Sequence, residues 1–238
     1  MAIKLSNTFL LRKLHQLTGI VPLGVFFLVH MYTNSAAMNG PGIFNKHVQD
    51  IHDIPYLLFI EIFGIFVPLL FHSIYGILIS AESKPNILNY GYARNWFYIF
   101  QRITGVFLFF FLFFHILNFR FGLIVNDTAV AGNAYRAFSI VSGEFQSGWI
   151  LALYILGILA TAWHLAYGVW LFAVDWGIVI GEKAQKITLY ACLGLAVFLG
   201  AVGVNAAVAF VRPCGLLPTA LCEAPKTTGA ELQPKVVR

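Results

Sequence analysis

An all-α integral membrane protein, built as a bundle of five transmembrane helices, is the fold this sequence predicts. Three observations predict it. The 238 residues are 59% hydrophobic and 11% charged, against roughly 45 to 50% and about 25% in ordinary globular domains. Five apolar stretches approach or exceed the roughly 20 residues a helix needs to cross a bilayer. Four of these stretches each carry one histidine deep inside: His30, His72, His115 and His164.

The first span is predicted at 14–32. Its basic lead (Lys4, Arg12, Lys13) and apolar run have the outline of a signal peptide, but the run is too long and contains Pro22 and His30, so it reads as a retained helix. The remaining spans are predicted at 55–79, 96–119, 149–174 and 187–211. An odd number of crossings leaves the termini on opposite sides. Lys4, Arg12, Lys13, Lys84, Arg94, Arg102, Lys183 and Lys186 flank one side, against Lys46, Arg120, Arg136 and Arg212 on the other. That excess puts the N-terminus in the cytoplasm and the chain, multi-pass, in the cytoplasmic (inner) membrane.

The connections 33–54 and 120–147 are long enough for short helices capping the outer face. His47 and His52 in the first of them read as surface histidines. Beyond Arg212, Pro213, Pro218, Pro225 and Pro234 break any helix. Residues 1–211 are therefore expected to form the membrane domain and 212–238 an extramembrane tail. Cys214 and Cys222 then face an oxidising compartment in a bacterium and can pair, whereas Cys192 reads as a small apolar residue of the fifth helix. The net charge of +5 comes from basic loops beside a membrane. No basic stripe or motif points to nucleic acid.

An ionisable side chain inside a span is rare and marks a functional site. Consecutive spans run in opposite directions, so His30 shares a depth with His115, and His72 with His164. Neutral imidazoles on facing helices are a way for a bundle to hold iron, and the pattern offers two stacked bis-histidine sites. At about 1.5 Å per residue the two levels lie roughly 15 to 20 Å apart, room for two macrocycles nearly edge to edge. Nothing reads Cys-x-x-Cys-His, so the haems implied are of b type.

The two halves also repeat. Gln16-Leu17-Thr18-Gly19 precedes His30 as Arg102-Ile103-Thr104-Gly105 precedes His115, and His72-Ser73-Ile74-Tyr75-Gly76 matches His164-Leu165-Ala166-Tyr167-Gly168. Equivalent helices point the same way, so the first four form a parallel two-helix repeat enclosing the two haems. Gly76 and Gly168, four residues past their histidines, either let a flat macrocycle approach the backbone or serve helix packing. Arg12, Gln16 and Arg102 are candidates to meet haem propionates, with lipid phosphate or a partner protein as alternatives for the two arginines. His15 reads as interfacial, a propionate contact being the alternative.

Glu61 is the acidic residue well inside a span, eleven residues before His72 and so near the His30/His115 level. It is either a proton-handling group beside a quinone or a hydrogen-bonded packing residue.

Three stretches carry a family resemblance: Arg12-Lys13-Leu14-His15 leading to His30; Arg94-Asn95-Trp96 followed by Gln101-Arg102-Ile103-Thr104-Gly105; and His164 followed by Gly168-Val169-Trp170 and Phe172-Ala173-Val174-Asp175-Trp176-Gly177. Over roughly residues 10 to 211 the chain resembles the di-haem cytochrome b subunit of succinate:quinone oxidoreductases, of the single-anchor, five-helix type. The resemblance implies that His30, His72, His115 and His164 are axial ligands, paired first with third and second with fourth. It implies a flavoprotein subunit, an iron–sulfur subunit delivering electrons to the haem nearer the cytoplasm, and a quinone, usually menaquinone, with a glutamate at the outer end of the second helix tied to quinone chemistry in some members. The mechanism expected here takes electrons from the His72/His164 haem to the His30/His115 haem and on to quinone near the outer face, with Glu61 assisting proton transfer. Direction, succinate oxidation or fumarate reduction, is left open.

The chain has no dinucleotide fingerprint, iron–sulfur cysteine set or nucleophile constellation of its own. A cytochrome b subunit of a hydrogenase or formate dehydrogenase is an alternative within electron transfer. A haem-free transporter or scaffold is an alternative from another class.

Overall fold

The computed structural model describes residues 8–124, 129–130 and 132–222. Among them are five helical segments long and apolar enough to cross a membrane: Thr8–Asn39, Leu57–Ala81, Ala93–Arg120, Gly148–Asp175 and Glu182–Ala209. In a bilayer the backbone must satisfy its own hydrogen bonds, which is why apolar sequence of this length becomes helix. The segments run longer than predicted at several ends because polar residues such as Arg94 and Glu182 still sit on the helix where it emerges from the apolar layer.

Each crossing has its own interruption. The first consists of α1 (Thr8–Ile20) and α2 (Leu23–Ser35), separated at Val21-Pro22, where proline lacks the amide proton a continuous helix needs. A short 3-10 turn, Ala36–Asn39, completes it. The second begins with one turn of helix, α4 (Leu57–Ile60), widens into a π-helical stretch, Glu61–Phe66, and continues as α5 (Val67–Ala81). The third, α6 (Ala93–His115), ends in a second π-helical stretch, Ile116–Arg120. α8 (Gly148–Asp175) and α9 (Glu182–Ala209) are uninterrupted and form the most extensive helix–helix interface.

Two short helices cap the end of the bundle remote from Thr8: α3 (Pro41–His52) and α7 (Ala137–Phe145). Asn45 stitches them, donating from Nδ2 to the Tyr135 carbonyl at 2.8 Å and accepting the Phe138 amide at 2.8 Å. Beneath them an aromatic core gathers Phe44, Phe111, Phe119, Phe145, Tyr154 and Phe210. Elsewhere large apolar side chains such as Leu70, Phe110 and Val197 point outward, the arrangement expected of surfaces solvated by lipid tails.

A buried side chain anchors the loop after Arg212. Asn205 of α9 accepts the amides of Leu216 and Leu217 at 2.6 and 2.9 Å and donates to the Leu217 carbonyl at 3.0 Å and to Met38 Sδ at 2.7 Å. Thr219 donates to Asn39 Oδ1 at 2.5 Å. Cys214 and Cys222 form a disulfide with Cα atoms 5.6 Å apart, and Cys192 is free and buried in α9.

Candidate functional site

The antiparallel threading brings the four histidines together two by two. His72 and His164 face each other with ring centroids 6.4 Å apart and planes at 85°; His30 and His115 do so at 5.8 Å and 81°. Two imidazoles bound on opposite sides of one ion through bonds of about 2 Å place their centroids on the order of 6 Å apart. Both spacings are compatible with a shared iron. Among the described residues no cluster of three or more metal-ligating side chains occurs; each level offers a pair of imidazoles, a donor set that would suit a macrocycle bringing its remaining ligands with it.

The ring tautomers follow from the hydrogen bonds. His72 Nδ1 lies 2.9 Å from the His15 carbonyl oxygen. An oxygen of that kind only accepts, so Nδ1 carries the proton and Nε2 keeps its lone pair for a metal. His164 Nδ1 lies 3.2 Å from Thr104 Oγ1. The single Thr104 hydroxyl proton is directed at the Phe100 carbonyl at 2.7 Å, so the hydroxyl accepts from His164 and Nε2 is again free. At the other level His115 Nδ1 meets the Tyr154 hydroxyl at 3.3 Å. Tyr154 stands ten residues before His164 on α8, about 15 Å along the axis, which is how one helix serves both levels.

Matched glycines admit the rings. A Cβ on Gly19 would lie 2.5 Å from His72 Cε1, and one on Gly105 would lie 3.0 Å from His164 Cε1. Gly76 and Gly168, expected to face a macrocycle or a neighbouring helix, sit in the reciprocal contacts: Gly76 against His15 (3.0 Å) and Gly168 against the Gln101 amide nitrogen (3.5 Å). The same two contacts thus recur in each half. One mismatch remains, because His30 follows Gly19 by eleven residues and His115 follows Gly105 by ten. The interruption at Val21-Pro22 falls inside the longer interval and absorbs the extra residue.

The predicted propionate candidates have diverse surroundings. Arg12 makes a loose, exposed pair with Glu82 at 3.5 Å, worth little at a surface. Gln16 donates to Asp175 Oδ2 at 2.7 Å and accepts from Trp176 Nε1 at 2.9 Å. With Lys13, which reaches the Asp175 carboxylate and carbonyl at 2.8 and 2.7 Å, it fastens α1 to the C-terminal end of α8, where a cation is favoured by the exposed carbonyls. Arg102 lies over the Tyr98 ring, its guanidinium carbon 3.3 Å from the centroid, and its Nε is buried with no hydrogen-bond partner.

Glu61 does not stand alone. Arg120 grips it with Nε on Oε1 at 3.1 Å and Nη2 on Oε2 at 2.6 Å. The pair was not foreseen, nor was Tyr154, nor the placement of His15, which is half-buried and stacked on His72. For His15 a signal existed: it lies four residues before Gly19 as Gln101 lies four before Gly105.

The family described as succinate dehydrogenase/fumarate reductase transmembrane subunit matches residues 83–203. The succinate dehydrogenase cytochrome b558 subunit of Bacillus subtilis (strain 168) is 36% identical over 206 residues, covering 87% of this chain and 98% of that protein. With five membrane-length helices and a relative aligned along nearly its whole length, the chain belongs to the succinate dehydrogenase/fumarate reductase transmembrane subunit family.

Proposed function

We propose that this chain is the membrane anchor and electron-transfer subunit of a succinate:quinone oxidoreductase, linking an iron–sulfur subunit and its flavoprotein partner to a membrane quinone, menaquinone. The observation that carries this reading is the pair of facing imidazole couples at centroid distances of 5.8 and 6.4 Å. Two b haems, held by His72 and His164 on the cytoplasmic side and by His30 and His115 on the outer side, supply one-electron redox chemistry at the two levels.

The chain's own residues do the rest. His15 and Thr104 fix the tautomers of His72 and His164, and the glycines hold those rings close to the helices. Arg102, with its unpartnered Nε, is the residue we assign to a propionate, with Arg12 and Gln16 beside it on the same side. Glu61 and Arg120, on the level of the outer pair, handle the proton that accompanies quinone reduction. We assign 1–211 to the membrane domain, with the N-terminus in the cytoplasm of the host and the chain in its inner membrane, and 212–238 to an outer tail; residues 1–7, 125–128, 131 and 223–238 of these lie outside the described residues.

The test is haem stoichiometry in the purified, detergent-solubilised complex, by alkaline pyridine spectrum against protein, for the wild type and single replacements of the four histidines. The expected result is two b haems per chain, with each replacement disturbing one. One haem in the wild type means that one pair is misassigned; none in an intact preparation overturns the cytochrome reading.

A further inference from the structure

His15 and Gln101 occupy the same position in the two halves of the bundle. Each precedes by four residues the glycine against which a histidine packs, and each itself packs against the glycine four residues beyond that histidine. Each also carries a buried polar atom with no hydrogen-bond partner, His15 Nδ1 and Gln101 Oε1. Leaving such an atom unsatisfied costs about 1 to 3 kcal/mol, and the cost recurs at the matched positions.

The two residues treat their histidines differently. His15 lies face to face on His72, with centroids 4.1 Å apart and planes 14° from parallel, while its carbonyl takes the His72 Nδ1 proton. The His72 ring is therefore held in both tautomer and plane by one residue. Gln101 has no ring to stack; its amide donates to the His164 carbonyl at 3.0 Å, holding the helix in place, and Thr104 orients the His164 ring. One ring is set by stacking and the other by a hydroxyl, and they end 85° apart.

We propose that His15 is a positioning residue that fixes the plane of the His72 imidazole, with Gln101 as its counterpart holding His164, so that the near-perpendicular arrangement at this pair is built into the two halves. This rests on the haem assignment above. The angle between two axial imidazole planes governs the splitting of the iron d orbitals, and the low-field g value of the ferric low-spin signal reports it.

The experiment is low-temperature electron paramagnetic resonance of the oxidised, purified complex, with a redox titration, for the wild type, His15→Ala and His15→Phe. His15→Ala is expected to shift the low-field g value and the midpoint potential of one haem and leave the other as it was. His15→Phe, which keeps a stacked ring, is expected to restore the g value. An unchanged g value in haem-replete His15→Ala, or a His15→Phe spectrum identical to that of His15→Ala, overturns the proposal. Should His15→Ala fail to retain haem, His15→Gln takes its place, reproducing the residue of the other half; the same shift is expected and its absence is equally fatal. A wild type without two b haems instead removes the haem assignment, and this inference falls with it.

Discussion

Arg120 holds Glu61 in a two-point grip inside the membrane-spanning part of the bundle, and both residues lie in π-helical turns, Glu61 opening one and Arg120 closing the other. A π turn carries one extra residue and re-aims the side chains around it. Two such turns let residues 59 positions apart meet.

The pair is expected to be strongly coupled. The Glu61 side chain is 16% exposed and that of Arg120 is 33%. Arg120→Met strands a carboxylate in an apolar setting and should cost about 3 kcal/mol of stability. Glu61→Gln should cost less, because a long guanidinium side chain can reach the interface. The double variant should lose less than the sum, as read by unfolding of the solubilised complex; additive losses would show that the two groups act independently.

For catalysis, Glu61→Gln preserves shape and removes the carboxylate to which the proposed function assigns the proton. Succinate-to-quinone activity should fall by about a hundredfold, while succinate reduction of a soluble dye, which bypasses the quinone, stays at the wild-type level. Equal losses in both assays would place the defect in assembly.

The matched glycines should rank in sensitivity by the space beside them. Gly19→Ala, with 2.5 Å to His72, should be the most damaging, Gly105→Ala, with 3.0 Å to His164, intermediate, and Gly168→Ala, with 3.5 Å to Gln101, tolerated. Overpacking of this kind costs about 1 to 3 kcal/mol. Haem content and thermal stability of the three variants give the ranking, and a Gly168→Ala defect as large as that of Gly19→Ala would contradict it.

Asn205→Ala removes the hub that holds the tail. Three hydrogen bonds to the Leu216–Leu217 backbone disappear together, a loss of about 2 to 4 kcal/mol. The disulfide Cys214–Cys222 should then react with reductant markedly faster. A reduction rate unchanged from wild type would mean that the loop is held by other contacts.

Much of the bundle was legible in the sequence because membrane helices obey few rules. An uncharged run of sufficient length must be helix, and alternating direction fixes which histidines share a depth; His30 meets His115 and His72 meets His164 for that reason. Contacts that depend on local departures from ideal helix were not legible. Nothing in the spacing of Glu61 and Arg120 announces the π turns that join them. Asn205 reads as an ordinary polar residue near a helix end until the loop after Arg212 folds back on it. For His15 the position near the cytoplasmic end of the first helix reads as interfacial; that it also stacks on His72 follows from its register with Gly19 and Gly76, which a depth argument does not use.

The clamp around Asn205 joins the close of the first crossing to the loop that follows the last. Asn205 belongs to the last helix, Met38 and Asn39 to the close of the first crossing, and Leu216, Leu217 and Thr219 to the final described loop. Neither the first crossing nor the last can make this junction alone, because the loop has no seat until the two lie side by side. Seating of the loop is therefore a record of order in biogenesis: it requires that the last crossing has come to lie beside the first.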